Sequence, residues 1–209
     1  MEGAEREWWR RLPRVLTAPR EVFAALRNDD PDDVVARQEP VLLLVLLVGM
    51  AGVVMSPRWS TLLDEPDVDG WLIVAVLTFI AGGLYGAVGY FLVGGALHLG
   101  ARGMGAEGRF RLARHVLAFA CVPLALAFVA VLPLRLLAFG GDTFRSGGSD
   151  DGVLGGLVLA LQLGLLAWTL ALLLVGVRVV YGWTWLRAAG ALALLALFLA
   201  AFVALPSAF

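Results

Sequence analysis

"GMGAEGRFRLARHVLAFACVP", from Gly103 to Pro123, carries the spacing GxGxxG and then runs into an apolar helix. In a dinucleotide-binding loop such glycines follow a β-strand and open a helix, so that backbone amides and the helix dipole meet a pyrophosphate. The flanking residues decide whether that context exists. Trp71 to Leu99 before the glycines and Leu112 to Phe139 after them are both near-continuous apolar runs. The apolar core of a bilayer takes about 20 residues of helix, so both runs read as membrane spans. The glycines from Gly100 to Gly108 then form a hairpin between two spans, where glycine permits positive φ, and the nucleotide reading falls away.

Working outward, three more runs complete the pattern: Pro40 to Met55, Val153 to Tyr181 and Trp185 to Leu205. Of the 209 residues 60% are hydrophobic and 16% charged, with mean hydropathy +0.86. That balance is far from a soluble domain's. The expected fold is all-α: a polytopic membrane protein with five transmembrane helices, spanning about 40–56, 71–99, 112–139, 153–181 and 185–205. Residues 40–209 form this membrane domain, and residues 1–39 form a preceding amphiphilic arm and acidic hinge. The first 40 residues are charged and lack an early apolar stretch, so no leader peptide is expected.

The arginines give an orientation. All 16 basic residues are Arg, which with abundant Ala, Gly and Leu points to a GC-rich, prokaryotic coding bias. Arg6, Arg10, Arg11, Arg14, Arg20, Arg27 and Arg37 precede the first span; Arg102, Arg109, Arg111 and Arg114 surround the second connection; Arg178 and Arg187 flank the fourth. Only Arg58, Arg145 and the nearby Arg135 belong to the other side, where Asp64, Glu65, Asp67, Asp69, Asp142, Asp150 and Asp151 lie. The positive-inside rule therefore puts the N-terminus in the cytoplasm and, with five spans, the C-terminus outside a plasma or inner membrane.

In the arm, Trp8, Leu12, Val15, Leu16, Pro19, Val22, Phe23 and Leu26 recur at helical spacing, with Arg6, Arg10, Arg14 and Arg20 elsewhere. Such a segment either lies in the cytoplasmic interface against anionic lipid or packs on its own bundle. Pro13 and Pro19 are expected to divide it into short helices, with Thr17 capping the second. The stretch "RNDDPDDVVARQE" reads as a solvated hinge.

Chemistry is sparse. The single Cys121 forms no intrachain disulfide, and no Cys and His cluster has metal-ligand spacing, so no metal and no cofactor are expected. The spans hold no Asp or Glu, and no nucleophile faces a base. His98 and His115 sit near the inner ends of the second and third spans as interfacial rings. Arg135 is expected to snorkel outward, and Gln162 to hydrogen-bond between helices. Small residues make three stripes: Gly82, Gly86 and Gly89; Gly156, Ala160, Gly164, Ala167 and Ala171; Ala189, Ala193, Ala196, Ala200 and Ala204. They are expected to pack the bundle, a homo-oligomer being the sharper possibility.

The opening stretch resembles the signature of the Yip domain family, five-span membrane proteins named for interaction with Rab/Ypt GTPases. The matching positions are Gly103, Gly105, Phe110, Arg111, Arg114, Phe119, Ala120 and Pro123. "VLTAPREVFAALRND" resembles the family's segment before the first span, and "WTLALLLVGVRVVYGWTWLRAA" its Trp, Gly-x-Arg and Gly-turn pattern, here Trp168, Gly176 and Arg178. The likeness extends over about residues 12 to 205. Phe119 stands where Tyr is more usual, so no hydroxyl-dependent role is carried over. The resemblance implies a non-enzymatic membrane protein that organises membrane or protein partners. Arg102, Arg109, Arg111, Arg114, Trp183 and Arg187 are the candidate partner or lipid surface, since Arg and Trp dominate binding hot spots. Expected partners are the lipid bilayer, anionic lipid headgroups and an unidentified membrane or cytoplasmic protein; no nucleic acid is expected. The alternative is a small permease or lipid-handling subunit for a neutral or amphiphilic substrate.

Overall fold

A computed structural model describes residues 2–56, 59–65, 70–145 and 152–204. The expectations placed on Arg58, Asp67, Asp69, Asp150, Asp151 and Leu205 lie outside these residues. The helices are α1 (Glu2–Thr17), α2 (Pro19–Ala25), α3 (Pro31–Ala36), α4 (Gln38–Val54), α5 (Trp71–Gly103), α6 (Phe110–Ala120), α7 (Val122–Leu126), α8 (Leu132–Phe139), α9 (Val153–Tyr181) and α10 (Trp185–Ala204). Five segments are long and apolar enough to cross a membrane, and no strand occurs among the described residues. The all-α, five-span architecture expected from the sequence is therefore the one observed.

The third span departs from a single helix. It is α6, α7 and α8 in series, with a π-turn at Ala127–Val131. Pro123 offers no N–H to the carbonyl of Phe119 and crowds it, so the helix resets at Cys121. Pro133 makes the same demand on Val129, and the wider π-turn absorbs the mismatch.

Close backbone contact holds α4 to α5. A Cβ on Gly49 would lie 2.0 Å from the Gly82 carbonyl oxygen, and one on Gly86 2.2 Å from that of Val45. Only glycine fits there, as expected where spans pack without a hydrophobic drive between them. On another face of α5, Gly100 meets the Ala191 carbonyl of α10, where Ala188 and Ala191 are buried. The remaining stripes behave otherwise than expected. Gly89, Gly156 and Gly164 have nothing within 4 Å of an added Cβ, and Ala160, Ala167, Ala171, Ala189, Ala193, Ala196 and Ala200 are exposed. The buried side chains of α9 lie between Thr169 and Val180, so its first turns stand away from the bundle.

The core is concentrated toward the face that carries the N-terminus. Trp8, Val15, Val22, Phe23 and Leu26 of the arm join Leu97, Val116, Phe119 and Val177 of the spans in one cluster. Between the two readings of the arm, the contacts are with its own bundle. α1 runs through Pro13 unbroken, and α2 begins at Pro19 after Ala18, without a side-chain cap from Thr17. The opposite face is closed by a smaller cluster of Val54, Val74 and Phe144, with Trp59 donating to the Thr78 hydroxyl at 3.0 Å.

Candidate functional site

The N-terminal face is assembled from four segments: the arm, the α2–α4 link, the α5–α6 loop and the α9–α10 turn. Two of them are shaped by glycine. α5 ends with Gly105 at φ +80°, its N–H on the Arg102 carbonyl and the Ala106 N–H on that of Ala101. α9 ends the same way at Gly182, φ +66°, with the Trp183 N–H on the Arg178 carbonyl. Both are left-handed helix caps, so GxGxxG here is a turn that stops a span.

Arginines then tie these ends together. Arg27 of the arm donates to the carbonyls of Val179, which also accepts the Gly182 N–H, and Val180 in the last turn of α9, where carbonyls lack i+4 partners. Arg187 of α10 donates through Nε to the Met104 carbonyl at 2.8 Å and covers the Trp183 ring at 4.7 Å. Trp183 in turn stacks on Tyr181 at 4.8 Å. Asp29 bridges both Arg109, at 2.8 Å, and Arg111, at 2.9 Å. The hydrogen bond from Arg111 holds the Asp29 carboxyl below the usual carboxylate range.

The expected solvated hinge is solvent-exposed over residues 27–32, but it contains an ordered helix, α3. Asp30 caps α3 through the Asp32 amide at 3.0 Å, with Pro31 in its first turn. Arg37, just after it, is buried; it donates to the Leu26 carbonyl at 3.1 Å and lies 3.7 Å from Asp33. Asp33 also accepts the Trp8 indole N–H at 2.9 Å, which fastens α1 to α3. Asp29, Asp33 and Arg37 were not singled out from sequence, although Asp30-Pro31 is a cap followed by a first-turn proline and could have been read as a helix start.

Two of the family-motif positions, Phe119 and Gly176, form the seat of the arm. The Phe119 ring packs on Trp8 at 5.5 Å, beside buried Ala120 and Pro123. A Cβ on Gly176 would come within 2.9 Å of both Phe23 and Val116, so the arm's phenylalanine enters where α9 has no side chain. Phe110 is exposed and flanks Arg114, whose guanidinium also sits 5.0 Å from Tyr90 and 4.6 Å from Phe91. Arg178 covers the Trp185 ring at 4.4 Å, while Trp168 faces outward from α9. Gly103 ends α5 close to Leu194.

The structure thus joins Arg109, Arg111, Trp183 and Arg187 into the fabric of one face, and leaves Arg102 and most of Arg109 exposed. Elsewhere, Arg135 and Gln162 line one cleft between the third span and α9. No group of three His, Cys, Asp or Glu that could hold a metal occurs among the described residues.

Fold and face together define a polytopic α-helical membrane protein whose N-terminal arm is packed onto a bundle of five spans. The model of the Yip1 domain matches residues 14–205, and the chain belongs to that family. No curated protein and no solved structure shows significant similarity to it.

Proposed function

We propose that this Yip-type integral membrane protein is non-enzymatic and organises protein or membrane partners through its N-terminal face. The arginine distribution supports a cytoplasmic position for that face in a plasma or inner membrane. The observation that carries the reading is the stapling itself. Four segments distant in sequence are held as one surface by Arg27, Asp29, Arg111 and Arg187, which preorganises whatever that surface presents. Its exposed chemistry is shaped differently from what the sequence implied: Trp9, Arg10, Arg102 and Arg109 are outward, Arg187 is exposed but directs donors to the Met104 carbonyl, and Trp183 is half-buried against Tyr181.

Site-specific photocrosslinking in native membranes tests this, with the crosslinker at Trp9 or Arg102 and, as a lipid-facing control, at Leu137. Discrete protein adducts are expected from the first two positions only, and Asp29→Ala should weaken them by releasing the α5–α6 loop. Equal adducts from Leu137, or adducts indifferent to Asp29→Ala, would send the function elsewhere. The transport or lipid-handling alternative draws on the cleft lined by Arg135 and Gln162, not on this face.

A further inference from the structure

Two clefts meet on the flank of the bundle. The deeper, of about 290 Å³, is bounded by α4, α5 and the end of the α6 segment, and its wall is apolar apart from Tyr85, Tyr90 and Cys121. The shallower, of about 280 Å³, opens at the N-terminal face and is lined by Gln38, Arg111, Arg114 and His115. Val45 and Tyr90 line both, so the two clefts adjoin. From Gln38 to Gly49 the pair follows α4 for about 16 Å at 1.5 Å per residue. That is about half of the roughly 30 Å apolar core, the depth of one leaflet.

The upper cleft is built for an anion. Arg114 lies among the rings of Tyr90, Phe91 and Phe110, an arrangement that shields the faces of the guanidinium and leaves its donors in the plane. Gly94 makes room for the stem of that arginine, since a Cβ there would lie 2.5 Å from the Arg114 Cγ. His115 is 4% exposed, and its Nδ1 has no hydrogen-bond partner among the described residues. In its Nδ1–H tautomer that buried ring offers a donor beside the guanidinium groups of Arg111 and Arg114, which line the same cleft and call for an oxygen acceptor. The carboxylate at this mouth, Asp29, is shared between Arg111 and Arg109, and so leaves the balance positive.

We propose that the adjoining clefts hold one anionic phospholipid of the adjacent leaflet, its phosphate on Arg111, Arg114 and His115 and one acyl chain lying along α4 and α5 as far as Gly49. This site shares Arg111 with the N-terminal face, so its test reads Arg114 and Gly89, which take no part in stapling that face. A free phosphate would use the upper cleft alone; a phospholipid needs both. The absence of a side chain at Gly89, which lines the deeper cleft and has nothing within 4 Å of an added Cβ, keeps the chain's path open.

The experiment uses the full chain in nanodiscs of equal phosphatidylglycerol and phosphatidylcholine, ejected for native mass spectrometry. The wild type should retain phosphatidylglycerol about tenfold over phosphatidylcholine, whose phosphate is the same but whose choline cation is repelled by Arg111 and Arg114. Arg114→Gln should erase that preference, Gly89→Trp should remove retained lipid of both kinds, and Leu137→Trp on the outward face should change neither. If Arg114→Gln does not fold, the wild-type preference and Gly89→Trp decide the matter. Equal retention of the two lipids by the wild type, unchanged retention in Gly89→Trp, or displacement of the lipid by millimolar inorganic phosphate would each overturn the proposal.

Discussion

Gly176 shows how much one missing side chain does here. Its place on α9 is where Phe23 of the arm and Val116 of α6 converge, each within 2.9 Å of a would-be Cβ. Gly176→Leu should therefore overpack the seat, at a cost of about 1–3 kcal/mol, and expel the arm. Limited trypsin digestion reads this directly, because Arg20 and Arg27 flank Phe23. Cleavage should rise in Gly176→Leu and stay at the wild-type rate in Gly164→Leu, whose position on the same helix faces outward. Equal cleavage in the two variants would refute the seat. The sequence marked Gly176 as a motif position without revealing its neighbour, since helical periodicity says nothing about a contact from the far end of the chain. The arginines are a similar case. Arg109, Arg111 and Arg187 were legible as a basic, hot-spot-like set, but Asp29 lies 82 residues from Arg111, and the Met104 carbonyl 83 from Arg187. No local pattern encodes such a pairing.

Among the elements, the spans were the most legible, because the length and apolarity of a membrane helix are both imposed by the bilayer. Helix ends were found to within a few residues, and α5 only runs on from Leu99 to Gly103. The break in the third span was written in Pro123 and Pro133, yet hydropathy averages over prolines and reports a single run. The α2–α4 link is solvated as its acidic composition suggests, with residues 27–32 exposed, but Asp30 and Pro31 also specify a capped helix that buries Val34, Ala36 and Arg37. Its ion pair makes a pH prediction. With its folded value depressed by Arg111, the Asp29 carboxylate contributes fully above its ordinary value of 3.8, and that contribution is lost as pH falls through the lower folded value. Protection of the amides of residues 28–30, read by hydrogen exchange corrected for intrinsic rate, should hold from neutrality down to about pH 5. Asp29→Asn should lose it even at neutral pH; identical protection in wild type and variant at neutrality would contradict the bridge.

For the whole molecule, the arginine asymmetry makes the firmest prediction. In a Cys121→Ala background, Glu65→Cys should react with a membrane-impermeant thiol reagent in intact cells and Ala106→Cys should not. The reverse pattern would invert every side assignment. The fold class was readable from the sequence because the solvent dictates it; the arm's destination was not, because an amphipathic helix fits a lipid surface and a protein groove equally well. Its docked position bears on the order of biosynthesis. Arg27 leaves the ribosome well before the Val180 carbonyl it grips, which is made 153 residues later. Until then the arm has no seat: Trp8 finds Phe119 only when the third span exists, and Phe23 finds Gly176 only when the fourth does. Docking of the arm is therefore a late, long-range event in assembly, slow to close and open to chaperone or protease while it waits. A closed arm marks a chain whose fourth span has been inserted and packed.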